Sequence, residues 1–257
     1  MIEIKSAEQI QIMREGGRIL AKILKKLSEA VKPGITTKDL DKLARELVLF
    51  YKVKPAFLDY GGYPAAVCTS VNDEVVHCVP SERELKEGEI ISLDMGVVYN
   101  DFNSDAALTI PVLGKLSYME WAKSNPKLHK LIEVTREALN AGIKQAKIGN
   151  RVGKIGHAVK TVVEKNGFNV VRDLVGHGIG RELHEEPQVP NYGPADAGPK
   201  LESGMVIAIE PMVVAGSWKL IKGKDGFSYN TVDSSPAAHF EHTVAITKDG
   251  PMVLTTN

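Results

Sequence analysis

The spacing of apolar residues predicts two amphipathic helices near the start of the chain. Apolar side chains recur three and four residues apart between Ile10 and Leu27, as on one face of a helix. Ser6–Gln9 before them has the composition of a capping box, and Lys32–Gly34 contains the proline and glycine that end a helix. A second helix is predicted from Thr37 to about Tyr51.

The pattern then changes, and the same succession occurs a second time. Val, Ile, Thr and Tyr alternate between turn residues over 53–112, which is typical of strands. Helical spacing returns over about 119–147 and again over about 152–165, and strand-like sequence dominates from there onwards. Two helices followed by strands, occurring twice, predict a mixed α/β (α+β) fold whose two halves each contain two helices and antiparallel strands.

Short segments of the two halves also match in sequence. The matched pairs are Val31–Gly34 with Ala146–Gly149, Val75–Val79 with Val175–Ile179, Leu85–Asp94 with Leu201–Glu210, and Asp105–Ile110 with Glu241–Ile246. Chance similarity of short apolar runs is the alternative, but the pairs align carboxylates with carboxylates and histidine with histidine. We therefore predict an internal repeat of about 6–112 and 119–257 within a single domain of residues 1–257.

Composition and charge argue against several classes of protein. The 257 residues are 43% hydrophobic, which suffices for a substantial core. The 32 basic and 32 acidic residues cancel, so no net field attracts nucleic acid or an anionic membrane. No run approaches the ~18 apolar residues of a membrane span, and the first residues lack the apolar stretch of a signal peptide. These features favour a cytoplasmic protein in which Cys68 and Cys78 are reduced thiols.

Two aspartates lie in strand-like sequence on either side of a predicted turn. Asp94 ends the run IISLD, and Asp105 follows in FNSDAALTI. A hairpin that turns at Tyr99-Asn100 would pair residue 98 with residue 101 and place the two aspartates directly opposite each other, with Cβ atoms ~5 Å apart. Such carboxylates repel unless one is protonated or a cation binds both. Solvated aspartates on an outer face are the alternative, but the apolar flanks argue against it.

Three further residues complete a candidate metal site. Glu210 ends the apolar run MVIAIE, and Glu241 lies between two histidines in HFEHT. A carboxylate in such surroundings is rarely unpaired, because burying a charge costs several kcal/mol. His177 lies among three glycines in VGHGIG, where glycine permits a close approach of the backbone or a positive φ. Oxygen ligands with one imidazole favour Co, Mn, Fe or Zn over a thiolate-type site.

The number of carboxylates suits two divalent cations that share ligands. Two such ions ~3.5–4 Å apart can hold a water between them and lower its pKa towards neutrality. The chemistry predicted is hydrolysis of an amide, an ester or a phosphate. The sequence contains no GxxxxGK[ST] phosphate loop, which favours amide hydrolysis.

Taken together, these motifs resemble a known family. They are His77 in NDEVVHCVP, Asp94 and Asp105 eleven residues apart, His177 and His184 in GHGIGRELHEEP, Glu210 in IEPM, and Glu241 in FEHT. In this order, and over nearly the whole chain, they resemble methionine aminopeptidase, in its short bacterial type I form. The resemblance implies the duplicated pita-bread fold, with two pseudo-symmetric halves. It also implies removal of the initiator methionine from nascent proteins, with a preference for a small second residue.

The resemblance also assigns roles to residues. It implies that Asp94, Asp105, His177, Glu210 and Glu241 bind two divalent ions, with Asp105 and Glu241 bridging them. His184 would donate a hydrogen bond to the scissile carbonyl or the oxyanion, His77 would contact the nitrogen beyond the scissile bond, and Glu210 would also shuttle a proton. The methionine pocket would be formed by Phe57, Tyr60, Tyr63, Cys68, Leu183 and Phe227, although such residues often serve only to fill a core.

Partners and alternatives follow from the same comparison. The resemblance implies nascent polypeptide N-termini as partners, with contact at the ribosome left open, and the simplest assembly is a monomer. A related hydrolase of the same fold that cuts before proline is a second hypothesis. An inactive homologue that serves as a binding module is a third, but such proteins lose metal ligands and this chain keeps all five. No function is predicted for segment 114–128.

Overall fold

The predicted helices form with nearly the predicted bounds. The computed structural model describes residues 2–256. The helices in this range are α1 (Ala7–Ala30), α2 (Thr37–Phe50), α3 (Tyr118–Ser124), α4 (Pro126–Gln145) and α5 (Val152–Lys165). The capping box exists, because Ser6 Oγ accepts from the Gln9 backbone N–H at 3.2 Å and Gln9 Oε1 accepts from that of Ser6 at 2.8 Å.

The predicted helix over 119–147 is two helices. Pro126 is the first residue of α4, where its missing N–H removes no helical hydrogen bond, and it disfavours helical geometry in the residue before it. Asn125 accordingly leaves the helical region, with φ −127° and ψ 56°. The short α3 lies within segment 114–128, so the second half contains a third helix that the pattern of two helices per half did not include.

The strands form one large and two small sheets, antiparallel throughout the described residues. The large sheet contains β1 (Lys54–Pro55), β2 (Cys68–Val71), β4 (Ile90–Tyr99), β5 (Phe102–Pro111), β7 (Gly176–Gly178), β8 (Glu185–Val189), β9 (Val206–Ile209), β14 (Glu241–Thr247) and β15 (Gly250–Val253). The small sheets are β6 (Asn169–Val170) with β10 (Met212–Val214) and β13 (Ala237–His239), and β3 (Glu74–Val76) with β11 (Leu220–Lys222) and β12 (Tyr229–Thr231). In the large sheet the order is β1-β4-β5-β14-β9-β7-β8, with β2 on β4 and β15 on β14.

Alternation along the central strands separates the core from the functional face. On β4, Ile91, Leu93, Met95 and Val97 belong to one buried cluster with apolar residues of α1 and α2. Asp94 lies among them and must point to the other face, because successive side chains of a strand point to opposite faces. In the second half, residues of β9 and β14 pack in the same way on α4 and α5. The helices therefore cover one face of the sheet and leave the opposite face for the site.

The hairpin turns one residue later than the sequence predicted. Tyr99 pairs with Phe102, so the turn residues are Asn100 and Asp101, with φ 46° and 64°. A two-residue hairpin turn of this kind needs positive φ at both positions, which Asn and Asp tolerate better than a bulky tyrosine. Asp94 therefore faces Ala107 rather than Asp105, and the two aspartates are diagonal neighbours on one face.

Matched contacts support the duplication of the two halves. Gly34 and Gly149 have φ 84° and 85°, and their backbone N–H groups donate to Leu85 O at 2.9 Å and Leu201 O at 3.0 Å. These are equivalent turns at equivalent sequence positions. The bounds of the repeat and of the single domain stay predictions, and Met1 and Asn257, which the domain bounds include, lie outside the described residues.

One of the matched segment pairs is wrong as a structural equivalence. His177 lies in β7, which pairs with β9, the strand before Glu210. His77 instead follows β3, which pairs with β12 in a separate small sheet. The likeness of Val75–Val79 to Val175–Ile179 therefore reflects short runs of similar composition.

None of the helices within residues 2–256 combines the length and the apolar composition needed to cross a membrane.

Two adjacent glycines of α1 provide a test of the packing on the large sheet. A Cβ at Gly17 would lie 2.4 Å from Leu254 O, whereas at Gly16 it would lie 3.0 Å from Tyr99 Cβ. Both Gly→Ala changes gain helix propensity of about 1 kcal/mol, but only Gly17→Ala meets immovable backbone. We expect Gly17→Ala to lower the free energy of unfolding by about 1–3 kcal/mol and Gly16→Ala to change it far less, as measured by urea denaturation. Equal effects would contradict the close approach.

Candidate metal centre and active-site cavity

Three carboxylates lie on one face of the large sheet because of its register. Asp94 on β4 is opposite Ala107 on β5, and Ala107 is opposite Glu241 on β14. Asp105 lies two residues before Ala107 and so points to the same face. The small side chain of Ala107 lies in the middle of this row and leaves the space between the carboxylates open. Glu210 immediately follows β9, the neighbour of β14.

The carboxylates and His177 converge on a place suited to a cation. One ligand atom each from Asp105, His177 and Glu241 lies within 4.8 Å of the others, and His177 Nε2 is 3.5 Å from Glu210 Oε1. One buried oxygen of Asp94, of Asp105 and of Glu241 has no hydrogen-bond partner. Burying polar atoms unpaired is unfavourable, so this donor set fits divalent cations.

The electrostatics lead to the same conclusion. Burial, together with the nearby charge of Asp105, raises the pKa of Asp94, Glu210 and Glu241 well above the ordinary carboxyl value. Burial also raises the pKa of Asp105 to about 7. Carboxyl groups held this close ionise together only if something positive neutralises them. Protons or bound cations are therefore needed for the cluster to exist as folded.

His177 has the protonation state and the tautomer that a metal ligand needs. Its Nδ1 lies 2.8 Å from Gly178 O, and since a carbonyl only accepts, Nδ1 carries the proton. Burial and nearby His184 lower the pKa of His177 to about 3, so the ring is neutral and Nε2 presents a lone pair. This backbone contact fixes the tautomer that metal-binding imidazoles need.

Two of the glycines around His177 allow backbones to meet closely. A Cβ at Gly176 would lie 2.4 Å from Ala208 O, and one at Gly178 would lie 2.2 Å from Glu186 O. Any side chain at these positions would push β7 away from β9 and β8. Of the two roles considered for these glycines, close approach is therefore the one that applies, and it sets the position of His177 beside Glu210.

His184 is oriented by a tyrosine. Tyr60 Oη lies 2.7 Å from His184 Nδ1, and the rings of His184 and His177 are 4.3 Å apart. Partial desolvation lowers the pKa of His184 and raises that of Tyr60, so the imidazole is neutral and the phenol keeps its proton. In the tautomer of His184 that carries its proton on Nε2, the phenol donates to Nδ1. The resemblance implied only a pocket role for Tyr60, and nothing in the sequence indicated this contact.

His77 is held in an unusual backbone conformation. Its φ of 58° is in the left-handed region, which costs a non-glycine residue on the order of 1–3 kcal/mol. The next residue is fixed, because Cys78 O accepts from Thr69 N–H at 3.1 Å and from Tyr63 Oη at 2.9 Å. Desolvation within the cavity, together with nearby His184 and Lys222, lowers the pKa of His77 to about 4. A neutral imidazole thus opens onto the cavity.

A single cavity of about 250 Å³ brings the predicted residues together. Its walls are formed by Phe57, Tyr60, Gly61, Tyr63, Cys68, His77, Asp94, Asp105, His177, Leu183, His184, Glu210, Phe227 and Glu241. All residues predicted as metal-binding, catalytic or substrate-binding are among them, together with Gly61, which sequence analysis did not name.

The apolar wall of the cavity adjoins the carboxylates directly. Cys68 on β2 is opposite Asp94 on β4, and the rings of Tyr63 and Phe227 meet edge to face at 5.5 Å. A Cβ at Gly96 would lie 3.0 Å from Phe57 Cε1, so this glycine makes room for the aromatic wall. Neither Gly96 nor Ala107 carries a functional group, and only the strand register could have identified them.

His239 is a further site residue whose role the sequence did not indicate. It is 1% exposed, and its Nε2 lies 3.8 Å from Glu210 Oε2. Neither ring nitrogen has a hydrogen-bond partner. Sequence analysis noted it only as a neighbour of Glu241.

Comparison with known proteins agrees with this geometry. The sequence matches the family described as Metallopeptidase family M24 over residues 11–248. It is 47% identical over 256 residues to a methionine aminopeptidase of Clostridium acetobutylicum, covering 99% of both chains. A crystal structure of methionine aminopeptidase from Thermotoga maritima superposes with a TM-score of 0.93 at 44% identity, covering 100% of both chains.

A more distant likeness concerns the fold alone. A prolidase from Pyrococcus horikoshii has a TM-score of 0.76 at 24% identity, and the match covers 99% of this chain and 64% of that one. The resemblance and the pita-bread fold expected from the sequence are thus confirmed. The chain belongs to metallopeptidase family M24 and, within it, to the methionine aminopeptidases.

Proposed function

We propose that this chain removes the N-terminal methionine from polypeptides by hydrolysing the first peptide bond, with a preference for a small second residue. One observation carries the proposal. A buried cluster of carboxylates and His177, with oxygens that lack partners, opens into the same cavity as an aromatic wall. That arrangement places an apolar side chain beside hydrolytic chemistry. The names of the similar proteins indicate which side chain it is.

Five residues would hold the metal ions. We assign Asp94, Asp105, His177, Glu210 and Glu241 as the residues that would hold two divalent cations. Asp105 and Glu241 would be shared, since their strands, β5 and β14, lie between β4, which carries Asp94, and β9, which precedes Glu210. Co, Mn, Fe and Zn all suit such a set of oxygens and one imidazole. When bound, such ions acidify an attacking water and polarise the scissile carbonyl.

The methionine side chain would occupy the apolar wall. Tyr63 uses its hydroxyl on Cys78 O at 2.9 Å, so its ring presents an apolar edge and face. Burial and Asp94 raise the pKa of Cys68 well above the ordinary thiol value, which keeps this residue neutral. Aromatic and sulfur groups suit a flexible, polarisable thioether. Phe57, Tyr60, Leu183 and Phe227 would complete this pocket.

The remaining steps fall to three side chains. His184 would donate its Nε2 proton in a hydrogen bond to the carbonyl oxygen as negative charge develops there, an interaction worth ~3–4 kcal/mol in comparable sites. Glu210, whose pKa is raised by burial and the nearby aspartates, would accept a proton from water and pass it on. His77 would contact the nitrogen beyond the scissile bond and assist its departure.

The biological setting follows from the reaction. The substrates would be the N-termini of newly made chains, and the activity would take place in the cytoplasm. The simplest assembly for this reaction is a monomer.

Tripeptide hydrolysis tests the proposal directly. We expect release of methionine from Met-Ala-Ser, little cleavage of Leu-Ala-Ser and none of Ala-Pro-Ser. Activity should disappear after chelation and return with Mn or Co. Cleavage of Ala-Pro-Ser would instead indicate a proline-directed hydrolase with the same metal site. Absence of metal binding would favour the binding-module hypothesis, and metal binding without cleavage of any peptide would overturn the proposed function.

Because the carboxylates are buried, we expect one of them to lower stability in the metal-free protein and to be required for stabilisation by metal. In metal-free protein, Asp105→Asn removes an ionisable group that burial disfavours, so its melting temperature should equal or exceed that of the parent. Saturating Mn should raise the melting temperature of the parent by about 5 °C or more but leave that of Asp105→Asn unchanged. Exposed Asp196 provides the control, because Asp196→Asn should behave as the parent. A Mn-induced rise in Asp105→Asn would contradict the ligand assignment.

The contact between Tyr60 and His184 predicts a change in turnover. Tyr60→Phe keeps the ring but removes the donor to Nδ1, so the tautomer with the proton on Nε2 is no longer favoured. We expect kcat for Met-Ala-Ser to fall about tenfold, with little change in KM or in Mn binding. Tyr118→Phe, far from the cavity, should leave all three unchanged. A rise in KM with constant kcat would assign Tyr60 to substrate binding alone.

A further inference from the structure

The segment that carries His184 is attached to a buried lysine near the start of the chain. We call residues 179–185 the His184 loop. Lys5 has a side chain only 1% exposed, and its Nζ donates to Glu185 Oε2. Glu185 is the residue directly after His184 and is itself only 11% exposed. An ion pair this well shielded from water is confined to a narrow range of geometries.

The carboxylate of Glu185 spans the part of the loop that enters the cavity. Its second oxygen, Oε1, accepts from the Glu182 backbone N–H at 3.2 Å. Leu183 and His184, which both line the cavity, are the two residues enclosed between these contacts. Lys5 therefore holds, through one carboxylate, both ends of the tight turn that presents them.

The third glycine of the motif, Gly180, leaves room for this ion pair. A Cβ at Gly180 would lie 2.4 Å from Lys5 Cε and 2.5 Å from Glu185 Oε1. Gly180 has no positive φ, so space rather than backbone conformation requires it. Lys5 and Glu185 thus occupy the space that a side chain at position 180 would fill.

Other contacts hold the far end of the loop and Lys5 itself, including a longer ion pair between Lys5 Nζ and Glu3 Oε2 at 3.7 Å, but none of them connects Lys5 to the His184 loop. Asn103 donates from its backbone to Gly180 O at 2.7 Å and from Nδ2 to Arg181 O at 2.9 Å. The backbone N–H of Lys5 donates to Gly204 O at 2.8 Å. Among the described residues, the side chain of His184 makes one polar contact, with Tyr60. Tyr60 is itself 45% exposed.

We propose that Lys5 is a positioning residue for His184 and acts through Glu185. The inference rests on the role proposed for His184 as donor to the scissile carbonyl. Lys5 does not line the cavity, and its side chain pairs with Glu3 and Glu185 rather than with a proposed metal ligand, but it fixes the backbone from which the His184 ring projects. An ion pair of purely structural value would stabilise the protein without being coupled to His184.

A double-mutant cycle separates these roles. The enzymes compared, all loaded with Mn, are the parent, Lys5→Met, His184→Ala and the double variant, with Met-Ala-Ser as substrate. In the parent background we expect Lys5→Met to lower kcat roughly tenfold to a hundredfold, as misplacement of a catalytic group by about 1 Å does. In the His184→Ala background the same change should lower kcat by less than about twofold, because the group that Lys5 positions is gone.

Two controls accompany the cycle. Lys38→Met removes an exposed lysine that pairs with Glu82 and should leave kcat unchanged. Calorimetric titration with Mn should give the same affinity for Lys5→Met as for the parent, because none of the proposed ligands contacts Lys5. If Lys5→Met fails to fold because Glu185 is left buried and unpaired, the neutral pair Lys5→Met with Glu185→Gln takes its place in the cycle.

The outcomes distinguish this inference from the function on which it rests. A full kcat for His184→Ala would remove the proposed role of His184 and with it the premise. If His184→Ala lowers kcat strongly and Lys5→Met lowers it by the same factor in that background as in the parent, the proposed function stands and the positioning role is overturned. Loss of Mn affinity in Lys5→Met would likewise overturn it, since the lysine would then act on the metal centre.

Discussion

The burial of four carboxyl groups in one place is the constraint on which this structure depends. Asp94, Asp105, Glu210 and Glu241 lie at one face of the central strands, and burial raises the pKa of each. The nearby charge of Asp105 adds to the rise in the other three. Such a cluster opposes folding until protons or cations neutralise it. The helices on the opposite face supply the apolar burial that holds the strands together regardless. Stability and chemistry are thus assigned to opposite faces of the same sheet.

Most of the fold and the metal centre could be predicted from local sequence. The helices had periodic patterns, caps and terminating residues, and the carboxylates stood out because charge interrupts apolar strands. The hairpin register was missed by one residue, because it depends on which two residues accept positive φ, and Asn100 and Asp101 do so. The alignment of His77 with His177 was also wrong, since a short run of similar residues carries no information about which strands pair.

What the sequence could not show are contacts between residues far apart in the chain. Tyr60 meets His184 across 124 positions and Lys5 meets Glu185 across 180. In the sequence alone, Lys5 is an ordinary lysine before a helix, and nothing local marks it as buried. Ala107 and Gly96 matter because of what their small size leaves open, a property that no residue type announces by itself.

The three glycines around His177 show how these levels connect. Gly176 and Gly178 bring β7 against its neighbours and so position the His177 imidazole, while Gly180 makes room for the ion pair that holds the residue after His184. The same short segment therefore positions both the histidine proposed as a metal ligand and the histidine proposed to act on substrate. Because the two rings lie 4.3 Å apart, small errors in the backbone would misplace one relative to the other. The proposed anchor, the ion pair of Lys5 with Glu185, lies outside the cavity. It would hold the backbone without adding charge to a cavity that already contains four carboxyl groups.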